Sequence, residues 1–278
     1  ARQTMSAAQK LYENGFITYM RTDSTHLSDE ALEGARRVVK NKFGEEFLPT
    51  APKQYKSKVK NIQEAHEAIR PTHKKFESID KVKKILGQDC ALIYELIWKR
   101  TVASQMKSAK LKQTSVIVSV KNADFKATGQ VILFPGYMKV YVEGKDNPSK
   151  DLADKEKILP DLEKDCILNC MSLEAVIHNT NPPARYTEAS LVKALEENGI
   201  GRPSTFASII ATIVKREYVN RKSGKLLPTF LGLAVTQLLE NHFTNLVSKE
   251  FTAEMENRLD EISRGEQKSI PFMDNFYH

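Results

Sequence analysis

Apolar residues recur at helical spacing near both ends of the chain and alternate with polar residues in its middle. The helical spacing predicts early helices at 4–14, 29–41, 65–70 and 79–108. Asn14-Gly15 and Pro71 supply stop signals for the first and third of these helices. Phe16 to Met20 predict a short strand between the first two. We therefore expect a mainly helical first domain at 1–108.

The pattern changes to strand-like alternation at residue 112. Strand-like pieces occupy 112–120, 123–128, 131–134, 137–142 and a stretch within 165–178. Gly129 and Pro135-Gly136 are typical turn residues between them. The middle of the chain therefore predicts a β-rich domain at 109–178, shaped as a curved sheet or an arch.

The pattern is helical again after Asn181-Pro182-Pro183. Helices are predicted at 187–198, from Gly201 to about Arg216, and near 230–241, 250–264 and 269–276. Two short strand-like pieces around Lys222–Lys225 follow the second of these helices. Helix, tight turn, helix and β-turn in this order are typical of a winged helix-turn-helix. The fold class is therefore α+β, mainly helical, with a winged-helix-like domain at 179–278.

Composition narrows the class of protein. The 278 residues can form about two domains, each with a sizeable core, and the net charge of +7 permits binding to a polyanion. No apolar run could span a membrane, and no signal segment opens the chain. Three cysteines make neither a disulfide framework nor a four-ligand zinc site, which fits a reducing, cytoplasmic setting.

A phenol and a guanidinium lie close together in the segment Phe16–Ser24. In an extended stretch, residues i and i+2 point the same way, so Tyr19 and Arg21 are expected on one side. A phenol can attack a phosphodiester, and a guanidinium can hold the phosphate through paired hydrogen bonds. A strand tyrosine beside a surface arginine is the alternative interpretation of an isolated Tyr-x-Arg.

Two further segments carry candidate phosphate-binding groups. His66 and Arg70 are four residues apart and would share one face of the predicted helix, although a lone histidine is more often structural. Thr187 is a natural N-cap, so the free N–H groups of its helix, with Arg185 just outside, could form an anion site. Arg202, Ser204 and Thr205 repeat that arrangement one helix later, and ordinary capping explains each turn equally well.

These segments together resemble the type IA DNA topoisomerases, and their bacterial branch in particular. Ile17–Ser24 is similar to the active-site segment of that family, and Ala65–Thr72 to the His-Glu-Ala-Ile-Arg-Pro segment that follows the tyrosine. Pro182–Glu196, with Gly199–Thr205, resembles the helical domain that grips single-stranded DNA. The three segments occur in the family's order and span almost the whole chain.

The resemblance implies a role for each candidate residue. Tyr19 would be the nucleophile, Arg21 its phosphate partner, and His66 a neighbour of the tyrosine-linked phosphate. DNA contacts are implied for seven residues: Thr18, Asp23, Arg70, Arg185, Ser190, Arg202 and Ser204. The implied fold is a Tyr-bearing winged-helix-like domain, a β-rich arch that could act as a hinge, and a second winged-helix-like domain.

The resemblance also implies what the parent enzyme needs. The family relaxes negatively supercoiled DNA without ATP, and binds Mg²⁺ through an Asp-x-Asp-x-Glu cluster in a Toprim domain ahead of the tyrosine. No Asp-x-Asp occurs here, so we expect a central fragment whose Mg²⁺ is bound by the Toprim domain of the same polypeptide. The Cys-rich zinc ribbons of many members are also absent. The fragment should bind single-stranded DNA as a monomer, lie in the cytoplasm at the nucleoid, and be inactive alone.

Two rival interpretations follow from the same residues. A tyrosine recombinase places its nucleophile near the C-terminal end, after an Arg and a His-x-x-Arg, whereas here Tyr19 comes first and the spacing is His-x-x-x-Arg. A non-catalytic winged-helix DNA-binding protein explains 187–229 but gives the Tyr19 and His66 segments no role.

Overall fold

The computed structural model describes residues 1–55, 67–141, 159–160 and 162–277. In chain order its α-helices are α1 (Arg2–Glu13), α2 (Asp29–Phe43), α3 (Ile79–Leu86), α4 (Gln88–Ser104), α5 (Glu188–Glu197), α6 (Phe206–Lys215), α7 (Phe230–His242), α8 (Lys249–Ser263) and α9 (Ser269–Tyr277). Its strands are β1 (Lys110–Val120), β2 (Ala123–Phe134), β3 (Val219–Lys222) and β4 (Lys225–Pro228). Short 3₁₀ helices cover Glu45–Phe47 and Gly136–Lys139. Among the described helices, none has both the length and the apolar character that crossing a membrane requires.

The chain divides into two compact units. The first contains Ala1–Ala35, Pro52–Thr101 and Arg185–His278, and the second contains Arg36–Ala51 and Val102–Ala184. The predicted domains at 1–108, 109–178 and 179–278 stay a prediction. The fold is helical with two small sheets, each of two strands in the described part of the chain, so the mainly helical class is confirmed.

The core of the first unit lies under its N-terminal helices. Leu11 of α1, Val82 of α3 and Tyr94 of α4 are almost completely buried in it. The Tyr94 hydroxyl donates to the Glu77 carbonyl oxygen at 3.0 Å, which satisfies its polar end. Burial, with a smaller contribution from the Glu77 carboxylate, raises the pKa of Tyr94 above its ordinary value.

Backbone signals decide where these first helices end. Asn14 caps α1 and Gly15 follows with a φ of 72°, as the stop signal predicts. The single helix predicted at 79–108 is wrong, because Gly87, with a φ of 88°, separates α3 from α4. Glycine adopts that left-handed conformation without the steric cost that other residues incur.

The second unit contains a long hairpin and less strand than predicted. β1 and β2 pair antiparallel from Lys110 opposite Phe134 to Val120 opposite Ala123. Gly129 pairs with Thr114 inside β2, so the turn predicted there is wrong. The strand predicted at 137–142 is also wrong over the described residues 137–141, because a 3₁₀ helix occupies Gly136–Lys139.

The strand predicted within 165–178 does not form either. Residues 166–178 have no regular structure, and Met171 is 93% exposed. A strand needs a hydrogen-bonding neighbour, and this stretch has none among the described residues. The β-rich middle is therefore confirmed only as the hairpin of β1 and β2.

The last part of the chain follows the predicted order closely. Helices α5 to α9 and the β3–β4 hairpin lie within a few residues of the predicted bounds. The hairpin turns at Ser223-Gly224 and contacts the chain ahead of α5, where the Leu226 N–H donates to the Tyr186 carbonyl at 2.7 Å. Helix, turn, helix and hairpin are thus present in order, while the winged-helix assignment stays a prediction.

Candidate functional site

Buried neighbours hold Tyr19 at the surface of the first unit. Phe16, Ile17 and Met20 pack into the core, and the Phe16 and Tyr94 rings meet edge to face at 6.2 Å. The Tyr19 side chain lies between these anchors and is 39% exposed. Packing of these neighbours therefore anchors the backbone, while the phenol stays accessible to solvent.

The backbone around Tyr19 is less regular than the strand predicted at 16–20. Ile17 forms an antiparallel β-bridge with Pro71, but the chain bends at Thr18, Met20 and Arg21. The alternation of a strand therefore does not extend to Tyr19 and Arg21. Arg21 is exposed, and its place on the same side as the phenol stays a prediction.

A second tyrosine, which sequence reasoning missed, lies against the first. The Tyr12 and Tyr19 rings meet edge to face, with their centroids 5.3 Å apart. Tyr12 is in the last turn of α1, and the reversal at Asn14-Gly15 brings the chain back past it. Periodicity places Tyr12 on a helix, but nothing local shows where the reversal leads, so no sequence signal could have found this contact.

Thr18 fixes one end of the Tyr19 segment to residues 68–70. Its hydroxyl donates to the Ala68 carbonyl at 2.7 Å and accepts from the Arg70 N–H at 2.9 Å. Its own N–H donates to the Arg70 carbonyl at 3.0 Å. The hydroxyl predicted to touch DNA is thus engaged within the protein.

Arg70 is buried rather than presented to a ligand. It is 6% exposed, and its Nε and Nη2 donate to the two carboxylate oxygens of Glu67 at 2.7 and 3.0 Å. Nη1 donates to the Pro71 carbonyl, and Nη2 also reaches the Ser28 hydroxyl. The predicted contact between Arg70 and DNA stays a prediction, and in this structure the guanidinium is engaged inside the protein.

Glu67 is a well-connected residue of this segment that the sequence did not single out. Its carboxylate accepts from Arg70 and from the Ser28 N–H, the latter at 2.7 Å. Burial acts to raise the pKa of Glu67, but hydrogen bonds from Arg70 and Ser28 and attraction to the guanidinium outweigh it. The pKa therefore lies below its ordinary value, and the group is ionised at neutral pH.

The helix predicted at 65–70 is wrong in its described part. Residues 67–70 are not helical, because Pro71 disfavours the helical conformation at Arg70 and residues 68–72 hydrogen-bond to the Tyr19 segment instead. The helix face that His66 and Arg70 were predicted to share is therefore not formed at Arg70. His66 itself lies outside the described residues.

The first of the two later turns is built as a capping box. The Thr187 hydroxyl accepts from the Ser190 N–H, and the Ser190 hydroxyl accepts from the Thr187 N–H at 2.8 Å. Ser190 is thus occupied by helix capping, and its predicted contact with DNA is not tested. Arg185 lies just ahead of the box and is exposed.

The second turn already holds carboxylates. Arg202 donates to Glu256 through Nη1 and to Asp260 through Nη2, each at 2.7 Å. The Gly201 N–H donates to both oxygens of Glu256, at 2.9 and 3.0 Å. The phosphate contact predicted for Arg202 stays a prediction, and in the structure its guanidinium is bonded to two carboxylates of α8. Ser204, by contrast, is exposed.

Asp23 brings the Tyr19 segment close to this second turn. A pocket of about 170 Å³ is lined by Asp23 together with Gly201, Arg202, Asn257 and Asp260, among others. All of these residues belong to the first unit. Two segments that the sequence keeps nearly 180 residues apart therefore share one surface depression.

The described residues contain no candidate metal centre. No group of three or more His, Cys, Asp or Glu side chains among them could hold a metal ion. The three cysteines, Cys90, Cys166 and Cys170, are free thiols. The residues that the structure describes thus do not fit a Mg²⁺ site.

Comparisons with known proteins agree on one family. Residues 1–274 match the family model described as DNA topoisomerase. The whole chain is 53% identical to DNA topoisomerase 1 of Synechocystis sp. and 51% identical to that of Streptomyces coelicolor. It covers 31% and 29% of these two proteins, so the chain spans about a third of the length of the curated relatives it matches.

A solved structure gives the same result for the fold. The chain is similar to full-length topoisomerase I from Thermotoga maritima, with a TM-score of 0.77 and 38% sequence identity. The similarity covers 98% of this chain and 44% of that one.

Proposed function

Since this chain belongs to the type IA DNA topoisomerase family, we propose that it forms part of an ATP-independent enzyme that cleaves one DNA strand through Tyr19. The enzyme would pass the other strand through the break, reseal it and so relax negative supercoils. One observation supports this most: an accessible phenol lies on a segment anchored at both ends, with an exposed guanidinium two residues on.

The proposed reaction is a transfer between two esters of the same phosphate. The Tyr19 oxygen forms a bond to phosphorus while the bond from phosphorus to the 3′ oxygen breaks. The phenol proton leaves and a proton reaches the departing 3′ oxygen, giving a 5′-phosphotyrosine and a free 3′-hydroxyl. Religation reverses each step, so no outside energy source is needed. Arg21 would hold the charged phosphate oxygens, with His66 beside the linked phosphate.

The exposed groups are the better candidates for contacts with DNA. Arg21, Arg185 and Ser204 face solvent, so phosphates can reach them. Thr18, Arg70, Ser190 and Arg202 are engaged within the protein, and we propose that they shape the DNA surface. Asp23 lines a pocket together with the second turn, and we propose that it contacts a strand bound near Tyr19.

The partners follow from the same proposal. The whole protein would act on single-stranded or negatively supercoiled DNA as a monomer, in the cytoplasm at the nucleoid. Its Mg²⁺ would be bound by a Toprim domain of the same polypeptide, and this chain alone would bind single strands weakly and relax nothing. The comparisons favour this function over a non-catalytic winged-helix protein.

The direct test follows the label on a cleaved strand. This chain is mixed with a separately made Toprim portion, Mg²⁺ and a single-stranded oligonucleotide labelled at its 3′ end. We expect the labelled 3′ part to become attached to the protein, and Tyr19→Phe to abolish the attachment. Attachment of a 5′-labelled part instead, or none with either label, would refute the proposal.

A further inference from the structure

One short segment holds both ends of the loop that carries Tyr19. We call residues 19–27 the Tyr19 loop. At its start, Thr18 exchanges hydrogen bonds with Ala68 and Arg70. At its end, the Ala68 N–H donates to the His26 carbonyl at 2.8 Å. The loop therefore cannot shift at either end without breaking bonds to residues 68–70.

The charged side chains of Glu67 and Arg70 also hold the end of the Tyr19 loop. Glu67 accepts from the Ser28 N–H at 2.7 Å, and Arg70 reaches the Ser28 hydroxyl at 3.2 Å. That hydroxyl also accepts from the Ala31 N–H at 3.4 Å, in the first turn of α2. The Glu67–Arg70 pair thus links the loop end to the start of a helix.

The Glu67 and Arg70 side chains are largely shielded from solvent, so each needs the other as its charged partner. The Arg70 side chain is 7% exposed and that of Glu67 25%. Arg70 uses Nε and both terminal nitrogens on the Glu67, Ser28 and Pro71 oxygens. A lysine could not replace it, because an ammonium lacks the planar fork that reaches these acceptors at once. Removing the charge of Glu67 leaves the Arg70 guanidinium buried without its charged partner, and removing Arg70 leaves a partly buried carboxylate without its partner.

We propose that Glu67 and Arg70 are positioning residues for Tyr19, which set the two ends of its loop and so hold the phenol in line with the scissile phosphate. The proposal rests on the function proposed above. Neither side chain needs to touch DNA for this role. Their effect should appear in the rate of strand cleavage and not in the affinity for the strand.

The test compares matched variants of the chain, mixed with the Toprim portion and Mg²⁺. Glu67→Gln keeps the size of the side chain and removes its charge, and Arg70→Lys keeps the charge and removes the fork. Glu95→Gln makes the same charge change in the surface pair with Lys99 and serves as the control. We expect Glu67→Gln and Arg70→Lys to slow single-turnover transfer to Tyr19 about 10- to 100-fold, because small displacements of reacting groups carry large rate penalties.

Three further readouts separate positioning from folding. Oligonucleotide affinity should stay within about threefold for every variant, since phosphate contacts set it. Hydrogen exchange should quicken at residues 19–27 and stay unchanged in α4. If Glu67→Gln unfolds the chain, Ser28→Ala removes one Arg70 contact more gently, and we expect a smaller slowing that Ser28→Thr restores.

Each negative result has a distinct meaning. If the unaltered chain transfers no DNA, the proposed function fails, and hydrogen exchange of the Tyr19 loop still tests the positioning role. If the unaltered chain reacts and Glu67→Gln reacts at the same rate, the positioning role is refuted. It is also refuted if loop exchange in Glu67→Gln matches that in Glu95→Gln.

Discussion

The segment that holds the Tyr19 loop and the turn between α5 and α6 each contain an arginine paired with a carboxylate, but the two pairs are built differently. Arg70 is bound by Glu67, three residues away, and its side chain is 7% exposed. Arg202 is bound by Glu256 and Asp260, 54 and 58 residues further along the chain, and its side chain is 32% exposed. The first pair closes a loop locally, and the second fastens a turn to a distant helix.

This difference shows how family motifs should be interpreted in structural terms. Both arginines belong to segments that resemble motifs of the family, and both were predicted to contact DNA. In the structure neither guanidinium is directed to solvent alone, while Arg21 in the Tyr19 segment and Arg185 ahead of α5 are exposed. An arginine in a family motif can therefore be engaged inside the protein and hold the backbone, while another arginine is exposed.

The largest effect should separate Tyr19 from its neighbour Tyr12. Tyr19→Phe removes the attacking oxygen and should reduce covalent transfer to background. Tyr12→Phe keeps the ring that packs on Tyr19 and should leave transfer within about threefold, since edge-to-face packing does not need the hydroxyl. Gel shifts of protein bearing labelled DNA measure both, and loss of transfer in Tyr12→Phe alone would reverse the assignment.

The second largest effect should distinguish the Arg70 pair from the Arg202 pair by how much each contributes to the free energy of unfolding. Arg70→Gln removes a buried guanidinium and leaves the 25% exposed Glu67 carboxylate without its partner, and it should lower the free energy of unfolding by about 2 kcal/mol. Arg202→Gln acts on a half-buried network open to solvent and should lower it by about 1 kcal/mol. Urea unfolding of the chain measures both changes. Equal losses of stability would contradict the distinction between a buried and a partly exposed guanidinium.

Low pH should remove the stabilisation that the Glu67–Arg70 pair supplies. The folded-state pKa of Glu67 is lowered, so its contribution is present above the unfolded value of about 4.3 and is lost as pH falls through the folded value. The stability difference between the unaltered chain and Glu67→Gln should therefore be constant from pH 7 to 5 and shrink below pH 4.3 or so. A difference that grew as pH fell would contradict the direction of this pKa shift.

The smallest effect concerns the salt dependence of binding. Each phosphate contact to a single strand contributes about 0.7 to the slope of log affinity against log salt. Arg21→Ala and Arg185→Ala should each reduce the slope by roughly that amount. Arg202→Ala should change it much less, because Glu256 and Asp260 already hold the guanidinium. Fluorescence anisotropy of a labelled oligonucleotide measures these slopes, and an equal change for all three would show that Arg202 binds phosphate as the other two do.

Local signals explain which elements the sequence predicts well. Asn14-Gly15 ends α1, Thr187 caps α5, and Ser223-Gly224 turns the hairpin, each by interactions within a few residues. The failures occur where partners far along the chain decide. Gly129 looks like a turn but pairs with Thr114 across a hairpin.

The candidate site could likewise be predicted only where local sequence signals mark its residues. Tyr19, Arg21 and Arg185 could be nominated because their segments carry distinctive residues. Glu67 could not be, since its role depends on Ser28, 39 residues away. The engagement of Arg202 depends likewise on α8. Neither contact leaves a pattern in the local sequence.

Mapping the covalent bond tests the central claim most directly. After reaction with an oligonucleotide in the presence of the Toprim portion and Mg²⁺, the chain is cut with a glutamate-specific protease, which separates Tyr12 from Tyr19 by cleavage after Glu13. Mass spectrometry then locates the nucleotide. We predict a 5′-phosphonucleotide on the peptide that contains Tyr19 and none on the peptide that contains Tyr12. A nucleotide on Tyr12, or a 3′-phosphate link at Tyr19, would contradict the account.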